Sequence, residues 1–353
     1  MKDHRAVLVT GGAGYIGSHV TLALQDSGMT PVVLDDLSTG LREAVPAGVS
    51  FIEGDCGDRD LLAEILPRYR IGTVMHFAGS TVVPESVADP LKYYSNNTLK
   101  SLALIESCVR NGVDRLIFSS TAAVYGIADA TMVTEDSPTA PITPYGRSKL
   151  MTEWVLRDSA AAYGLRYVAL RYFNVAGADP AGRSGQSTPA ATHLIKVAAQ
   201  VAVGIRSFIE VYGTDYPTPD GTCVRDYIHV CDLADAHVLA LRHLENGGAS
   251  MTLNCGYGHG HSVNEVLDMV EAVSGRRLER RLAGRRPGDL PALVADPSRL
   301  RALFDWRPRH ADLRTIVETA LAWEEKLARE GIRASQSAEQ AARSSGSDDL
   351  PPR

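Results

Sequence analysis

Residues 6 to 20 read AVLVTGGAGYIGSHV, and the fold follows from how this stretch is parsed. Ala6 to Thr10 form a short continuous apolar run that ends in glycines, and the following SHVTLALQDSG carries its apolar residues at helical spacing. The parse is strand, tight turn, helix. Gly11, Gly14 and Gly17 stand three apart within it. The first permits the tight turn, the second lets a pyrophosphate approach the backbone, and the third allows close helix packing, while the helix N-terminus supplies about half a positive charge. The next apolar run, PVVLDD, brings Asp35 to a strand end 18 residues after Gly17, where a carboxylate binds ribose hydroxyls. Asp35 and its neighbour Asp36 would also repel a 2′-phosphate, so the expected cofactor is NAD rather than NADP. A plain strand-to-helix turn is the alternative for the glycines taken alone.

Further strand signals lie at 72–79, 114–120 and 166–174, with helix-like stretches at 96–111 and 145–163. Strands apolar on both faces alternating with helices predict an α/β fold, a Rossmann-type doubly wound parallel sheet. After Asn174 the rhythm breaks in AGADPAGRSGQSTPA, a Gly/Pro/Ser-rich passage that opens a second region of helix, strand and two more helices. The predicted division is an NAD-binding domain over 1–178 with return segments near 226–258, and a smaller C-terminal α/β substrate domain over 179–330. From about 331 the chain is Ala/Ser/Gln-rich and nearly free of large apolar residues, which predicts a disordered tail over 331–353.

The 353 residues are 44% hydrophobic and 22% charged, an ordinary globular composition. A net charge of −6 offers no basic stripe, which argues against nucleic acid and leaves any anionic ligand to local cations. The five cysteines are odd in number and lack metal-site spacing; Cys223, His229 and Cys231 fit no tetrahedral set, and His259 with His261 reads as a turn, so no metal is expected. Small buried thiols suit a reducing compartment, and with no signal core and no apolar run near 18 residues, the expectation is a cytoplasmic protein without membrane attachment.

PYGRSKL, 144 to 150, sets Tyr145 four residues before Lys149, straight after a proline tolerated in a helix's first turn. At that spacing the side chains share a face, with Cβ atoms about 5 to 6 Å apart. Two unit charges about 6 Å apart at an effective dielectric near 20 interact by roughly 3 kcal/mol, or about 2 pKa units. The phenol is therefore expected to fall from about 10 toward about 8, where it can serve as a general base. Thr121, just beyond the strand RLIFSS, stands where open parallel sheets bind ligands, and its hydroxyl could hydrogen-bond the same substrate oxygen. An unrelated helix surface and a threonine closing a strand are the bland alternatives; the ordered series of motifs favours chemistry.

With GGAGYIGSH, VLDDLSTG, HFAG, DPLKYYSNN, SSTAAVYG, PYGRSKL, RYFNVAGA, DGTCVRDYIHVCDLADAHV and RRPGDLP in that order, residues 1 to 325 resemble the extended short-chain dehydrogenase/reductase family, and within it nucleotide-sugar 4-epimerases of the UDP-glucose (UDP-galactose) type. The resemblance implies a tightly held NAD, a transient 4-keto sugar, and interconversion of UDP-glucose and UDP-galactose with Tyr145 as acid/base. It implies catalytic Thr121, Tyr145 and Lys149. For the cofactor it implies Gly11, Gly14, Tyr15, Ile16, Gly17, Asp35, Asp55, Cys56, Phe77, Ala78, Gly79, Asn97, Tyr145, Lys149 and Tyr172, beside which stands Asp36. For the UDP-sugar it implies Thr121, Asn174, His193, Leu194, Tyr212, Arg225, Arg286 and Asp289. Forked arginine cations suit a diphosphate. Members are often homodimers, paired through helices such as 96–111 and 145–163.

Three positions depart from the pattern. Thr121 replaces a frequent serine and keeps the hydroxyl. Thr81 stands where some members carry a lysine near the cofactor phosphates. Leu293 stands where enzymes narrow for unacetylated hexoses tend to carry tyrosine, leaving volume for an N-acetyl group. UDP-arabinose/UDP-xylose and UDP-GlcNAc epimerisation are the alternatives. A dehydratase would need a carboxylate after Thr121, where Ala122 and Ala123 stand. A non-catalytic NAD-sensing protein would have no need of Tyr145 and Lys149.

Overall fold

The computed structural model describes residues 5–126, 132–188, 191–286 and 288–345. Strand β1 (Ala6–Thr10) leads through the glycine turn into helix α1 (Tyr15–Asp26) and on to β2 (Pro31–Asp35). Seven strands form one sheet, in the spatial order Met251–Cys255, Arg166–Tyr172, Arg115–Thr121, Ile71–His76, β1, β2, Ser50–Glu53. Every pairing is parallel. Successive strands step outward from β1 in one direction and then, from Ile71–His76 on, in the other. The order therefore reverses beside β1, and in such sheets the crevice outside the strand C-termini at the reversal is where ligands bind.

Both faces of the sheet are apolar because both are covered. Val7 and Val9 of β1 face a core shared with Val20 and Leu24 of α1 and with Leu233 and Leu241 of the helix Val230–Glu245. Ala6 and Leu8 face the opposite core, with Leu62, Leu104 and Leu156 from three other helices. The strand alternation that sends neighbours to opposite faces thus feeds two cores at once. Around the strand C-termini stand smaller pieces: a four-stranded sheet containing Val224–Arg225 and Ala292–Ala295, and the pair Ile209–Tyr212 with Arg280–Ala283.

Two strands of the large sheet, Ser50–Glu53 and Met251–Cys255, are absent from the strand signals read above. Both are outermost strands, and Ser50–Glu53 is four residues long and partly exposed, too short for a periodic pattern to register. The helix expected over 96–111 is Lys100–Arg110, entered through a wide π-type turn over Tyr94–Leu99. Such turns recur at functional sites. The helix that starts at Leu313 continues to Ser345, into the span expected as a tail. Its Ala, Glu, Gln and Arg residues are strong helix formers, and extending an existing helix carries no nucleation cost. Residues 346–353 of the expected tail lie outside the described residues. Among the described residues no helix is long and apolar enough to cross a membrane.

Candidate active site

The glycine turn is held by backbone-to-backbone packing. Gly11 adopts a left-handed φ of 73°, and a Cβ there would stand 2.5 Å from the amide nitrogen of Ala78, in the turn after the neighbouring strand. A Cβ on Gly17 would land on the carbonyl oxygen of Gly11, so α1 can lie against the turn only without one. Gly14 caps α1 with no side-chain hydrogen bond, leaving the first-turn N–H groups of a 12-residue helix for an anion. Asp35 is buried and accepts from the Ala13 and Leu37 amides, at 2.9 Å each. A carboxylate offers about four lone-pair sites, so two remain for ribose hydroxyls. Burial pushes the Asp35 carboxyl up, opposed by those two amides. The turn fits an adenine dinucleotide: a Cβ-free cradle, free amides, and an acceptor at the strand end. Gly17→Ala is expected to lower NAD retained through purification by at least about tenfold, since α1 must shift off the turn. The check is the nicotinamide content of denatured protein; stoichiometric NAD in the variant would contradict this geometry.

The second corner lies at the end of the strand Arg115–Thr121. Thr143 caps the helix Pro144–Tyr163, its hydroxyl accepting from the Gly146 amide at 3.3 Å. Gly146 is itself a necessary residue that motif reading passed over. A Cβ on it would stand 2.5 Å from the Ala123 carbonyl, so only glycine lets the helix start close beside the turn after Thr121. Tyr145 is 8% exposed, meets the Tyr93 ring edge-on at 6.3 Å, and hydrogen-bonds the Thr121 side chain. Lys149 is 3% exposed; its ammonium donates to the Ser119 carbonyl at 2.9 Å and lies 4.9 Å from the Phe118 ring centre.

This geometry corrects the expected electrostatics. Burial pushes the Tyr145 phenol above its ordinary value, and only the Thr121 hydrogen bond pulls it down. Lys149, turned toward the strand, is itself brought down to about 8 by burial. Removing each group from water carries a cost that the exposed-helix arithmetic omitted.

Beneath this corner lies a buried network that no motif announced. Glu153 and Arg171 form a forked pair at 2.6 and 3.0 Å, and Ser120, next to Thr121, donates to Glu153 at 2.5 Å. Arg171 also donates to the Tyr125 hydroxyl at 3.0 Å, which donates to Asn254 at 2.6 Å. The one sequence signal was spacing, since Glu153 follows Lys149 by the same four residues that separate Lys149 from Tyr145.

Across the cleft, Asp289 stands between two cations, accepting from Arg286 at 3.0 Å and lying 3.9 Å from Arg225. The Arg286 guanidinium covers the Tyr212 ring at 4.6 Å. Leu293 is the strand-register partner of Arg225. Asn174 and the helix start at His193 and Leu194 complete this side. A single cleft of about 1450 Å³ joins both halves, lined by every expected site residue except Asp55 and Asn97. Asp55 pairs with Lys100 at 2.7 Å, a cation of the cleft wall. Asn97 spends its side chain on the Ser80 backbone, at 2.7 and 3.0 Å, and on Ser148 at 3.1 Å. The Cys56 thiol is raised to about 12 by burial and is therefore neutral. Among the described residues no group of His, Cys, Asp and Glu could hold a metal.

The chain is similar to known proteins over most of its length. The family model described as NAD dependent epimerase/dehydratase family matches residues 7–256. A UDP-glucose 4-epimerase of Azospirillum brasilense is 60% identical over 321 residues, 91% of this chain and 92% of that one. The solved UDP-glucose 4-epimerase of Brucella ovis in complex with NAD is 46% identical with a TM-score of 0.87, covering 90% of this chain and 98% of that one. The solved Stenotrophomonas maltophila UDP-glucose-4-epimerase, with bound NAD and formylated UDP-arabinopyranose, is 40% identical with a TM-score of 0.89, covering 93% and 100%.

Proposed function

The chain belongs to the NAD dependent epimerase/dehydratase family, and from that premise we propose that it is an NAD-dependent 4-epimerase interconverting UDP-glucose and UDP-galactose. The observation that carries the reading is the convergence, in one cleft, of the glycine turn with Asp35, the Thr121–Tyr145–Lys149 corner, and the Arg225–Arg286 pair. Bound NAD supplies the acceptor and then the donor of the hydride at the sugar C4.

On this reading Gly11, Gly14, Gly17, Asp35 and Lys149 would hold the dinucleotide, and Arg225 and Arg286 the diphosphate of the sugar. Tyr145 takes the proton of the sugar 4-hydroxyl and returns it after the 4-keto sugar has turned its other face. Thr121 hydrogen-bonds the phenol and so stabilises the phenolate form. A hydroxyl-bearing stereocentre cannot be inverted by proton removal alone, and the transient ketone removes that obstacle. Ala122 and Ala123 provide no acid for loss of water, which separates the site from a dehydratase.

The test is NMR of product mixtures after separate incubation with UDP-galactose, UDP-GalNAc and UDP-arabinose. UDP-galactose is expected to convert to UDP-glucose; appearance of the C4 epimer in none of the three would end the proposal. Conversion of UDP-GalNAc as well would follow from the small side chain of Leu293 beside Arg225. We further propose a homodimer paired through the helices Lys100–Arg110 and Pro144–Tyr163, whose outer surfaces leave Leu102 and Trp154 exposed, with Leu99 just before them. The five free cysteines suit the cytoplasm.

A further inference from the structure

The segment 177–187, between Asn174 and His193, contains only turns and irregular backbone, and its Gly, Pro and Ser residues give it little core of its own. It is nevertheless pinned from two sides: α1 holds it through Tyr15 on the Gly177 carbonyl at 2.6 Å and through Ser18 and His19 on Ser184 at 2.7 and 3.1 Å, and the C-terminal helix holds it at further points. On the helix that starts at Leu313, the Thr319 hydroxyl accepts from the Ala178 amide at 3.2 Å. Lys326 donates to the Gly182 carbonyl at 2.8 Å and lies 4.8 Å from the Trp323 ring centre. The Trp323 indole donates to the Ser187 hydroxyl at 3.1 Å, and its ring lies so close on Gly185 that a Cβ there would enter it. Glu324 pairs with Lys196, which in turn donates to the Gln186 carbonyl at 2.6 Å.

The Lys196–Glu324 pair is almost fully buried, with side chains 6% and 3% exposed. A buried ion pair is a poor device for stability, because apolar residues of similar volume usually serve as well or better. What an apolar pair could not supply is an N–H directed at the Gln186 carbonyl. Gln186, His193 and Leu194 line the cleft, whereas Lys196, Trp323 and Glu324 do not. Lys196 also sits on the helix whose first residue is Leu194.

We propose that the C-terminal helix positions the UDP-sugar side of the cleft, with Trp323 and the Lys196–Glu324 pair as positioning residues that hold Gln186, His193 and Leu194 in place for the nucleotide-sugar. The proposal rests on the UDP-sugar reading and adds to it residues that touch no ligand. It makes the affinity for the sugar nucleotide, and not the chemistry or the NAD site, depend on a helix outside the cleft.

The test is the double variant K196M/E324M, which removes both buried charges together and so should keep its thermal midpoint near that of the wild type. Its UDP dissociation constant by calorimetry and its KM for UDP-galactose are expected to rise about tenfold, the loss of a directed charged hydrogen bond, with kcat within about twofold and NAD content unchanged. Native UDP affinity in the double variant would overturn the proposal, as would a fall in kcat or NAD content with affinity intact. Should that variant fail to fold, Trp323→Phe decides on the same criteria, since it keeps an aromatic ring toward Gly185 and loses the indole N–H that bonds Ser187. Wild-type conversion of UDP-galactose tests the functional reading separately, while the change in UDP affinity between wild type and variant tests the clamp.

Discussion

Tyr145→Phe is expected to lower kcat by about 10² to 10⁴-fold, the range for loss of a positioned acid/base, while NAD content and KM stay near wild type. The ring that packs edge-on against Tyr93 is retained, and only the hydroxyl that bonds Thr121 is lost, so the fold should lose no more than about 1 kcal/mol. Thr121→Ala sharpens the test. Burial raises the phenol and the Thr121 hydrogen bond alone lowers it, so removing that bond raises the phenol further. The base form then appears only at higher pH, and the acidic limb of the kcat/KM profile should move upward in pH. Steady-state rates across pH for both variants are the measurement. A Tyr145→Phe enzyme retaining more than about a tenth of wild-type kcat would remove the phenol from the mechanism.

Glu153→Ala is expected to be the most damaging single change to stability, by about 3–5 kcal/mol, because it leaves the Arg171 guanidinium buried without its carboxylate. Both side chains are nearly enclosed, at 8% and 6% exposure, so water cannot replace the lost partner. Ser120 loses its acceptor in the same step, which loosens the strand end that carries Thr121. Urea unfolding monitored by circular dichroism measures the loss. The double variant Glu153→Leu with Arg171→Met should recover most of it, since the penalty lies in the unpaired charge rather than in the missing pair. A loss below about 1 kcal/mol in the single variant would mean that solvent reaches Arg171.

The strand, turn and helix of residues 6–26 were legible because every cue is local: an apolar run, glycines at fixed offsets, helical spacing after them. The Y-x-x-x-K spacing was legible for the same reason. Gly146 was passed over because the need for it comes from the Ala123 carbonyl, in a different turn of the chain. Ser50–Glu53 and Met251–Cys255 escaped because an outermost strand a few residues long is defined by its neighbour more than by its own pattern.

By itself the sequence determined the doubly wound class and the cofactor turn, both properties of spacing along the chain, and through its family resemblance it named residues of which all but Asp55 and Asn97 line the cleft. Only the tertiary structure decided that the Tyr145 phenol is raised rather than lowered, that Glu153 and Arg171 brace the corner from beneath, and that the C-terminal helix holds the far wall. Those depend on which groups lose water and on contacts between segments as far apart as Lys196 and Glu324, and desolvation and long-range packing leave no mark on spacing.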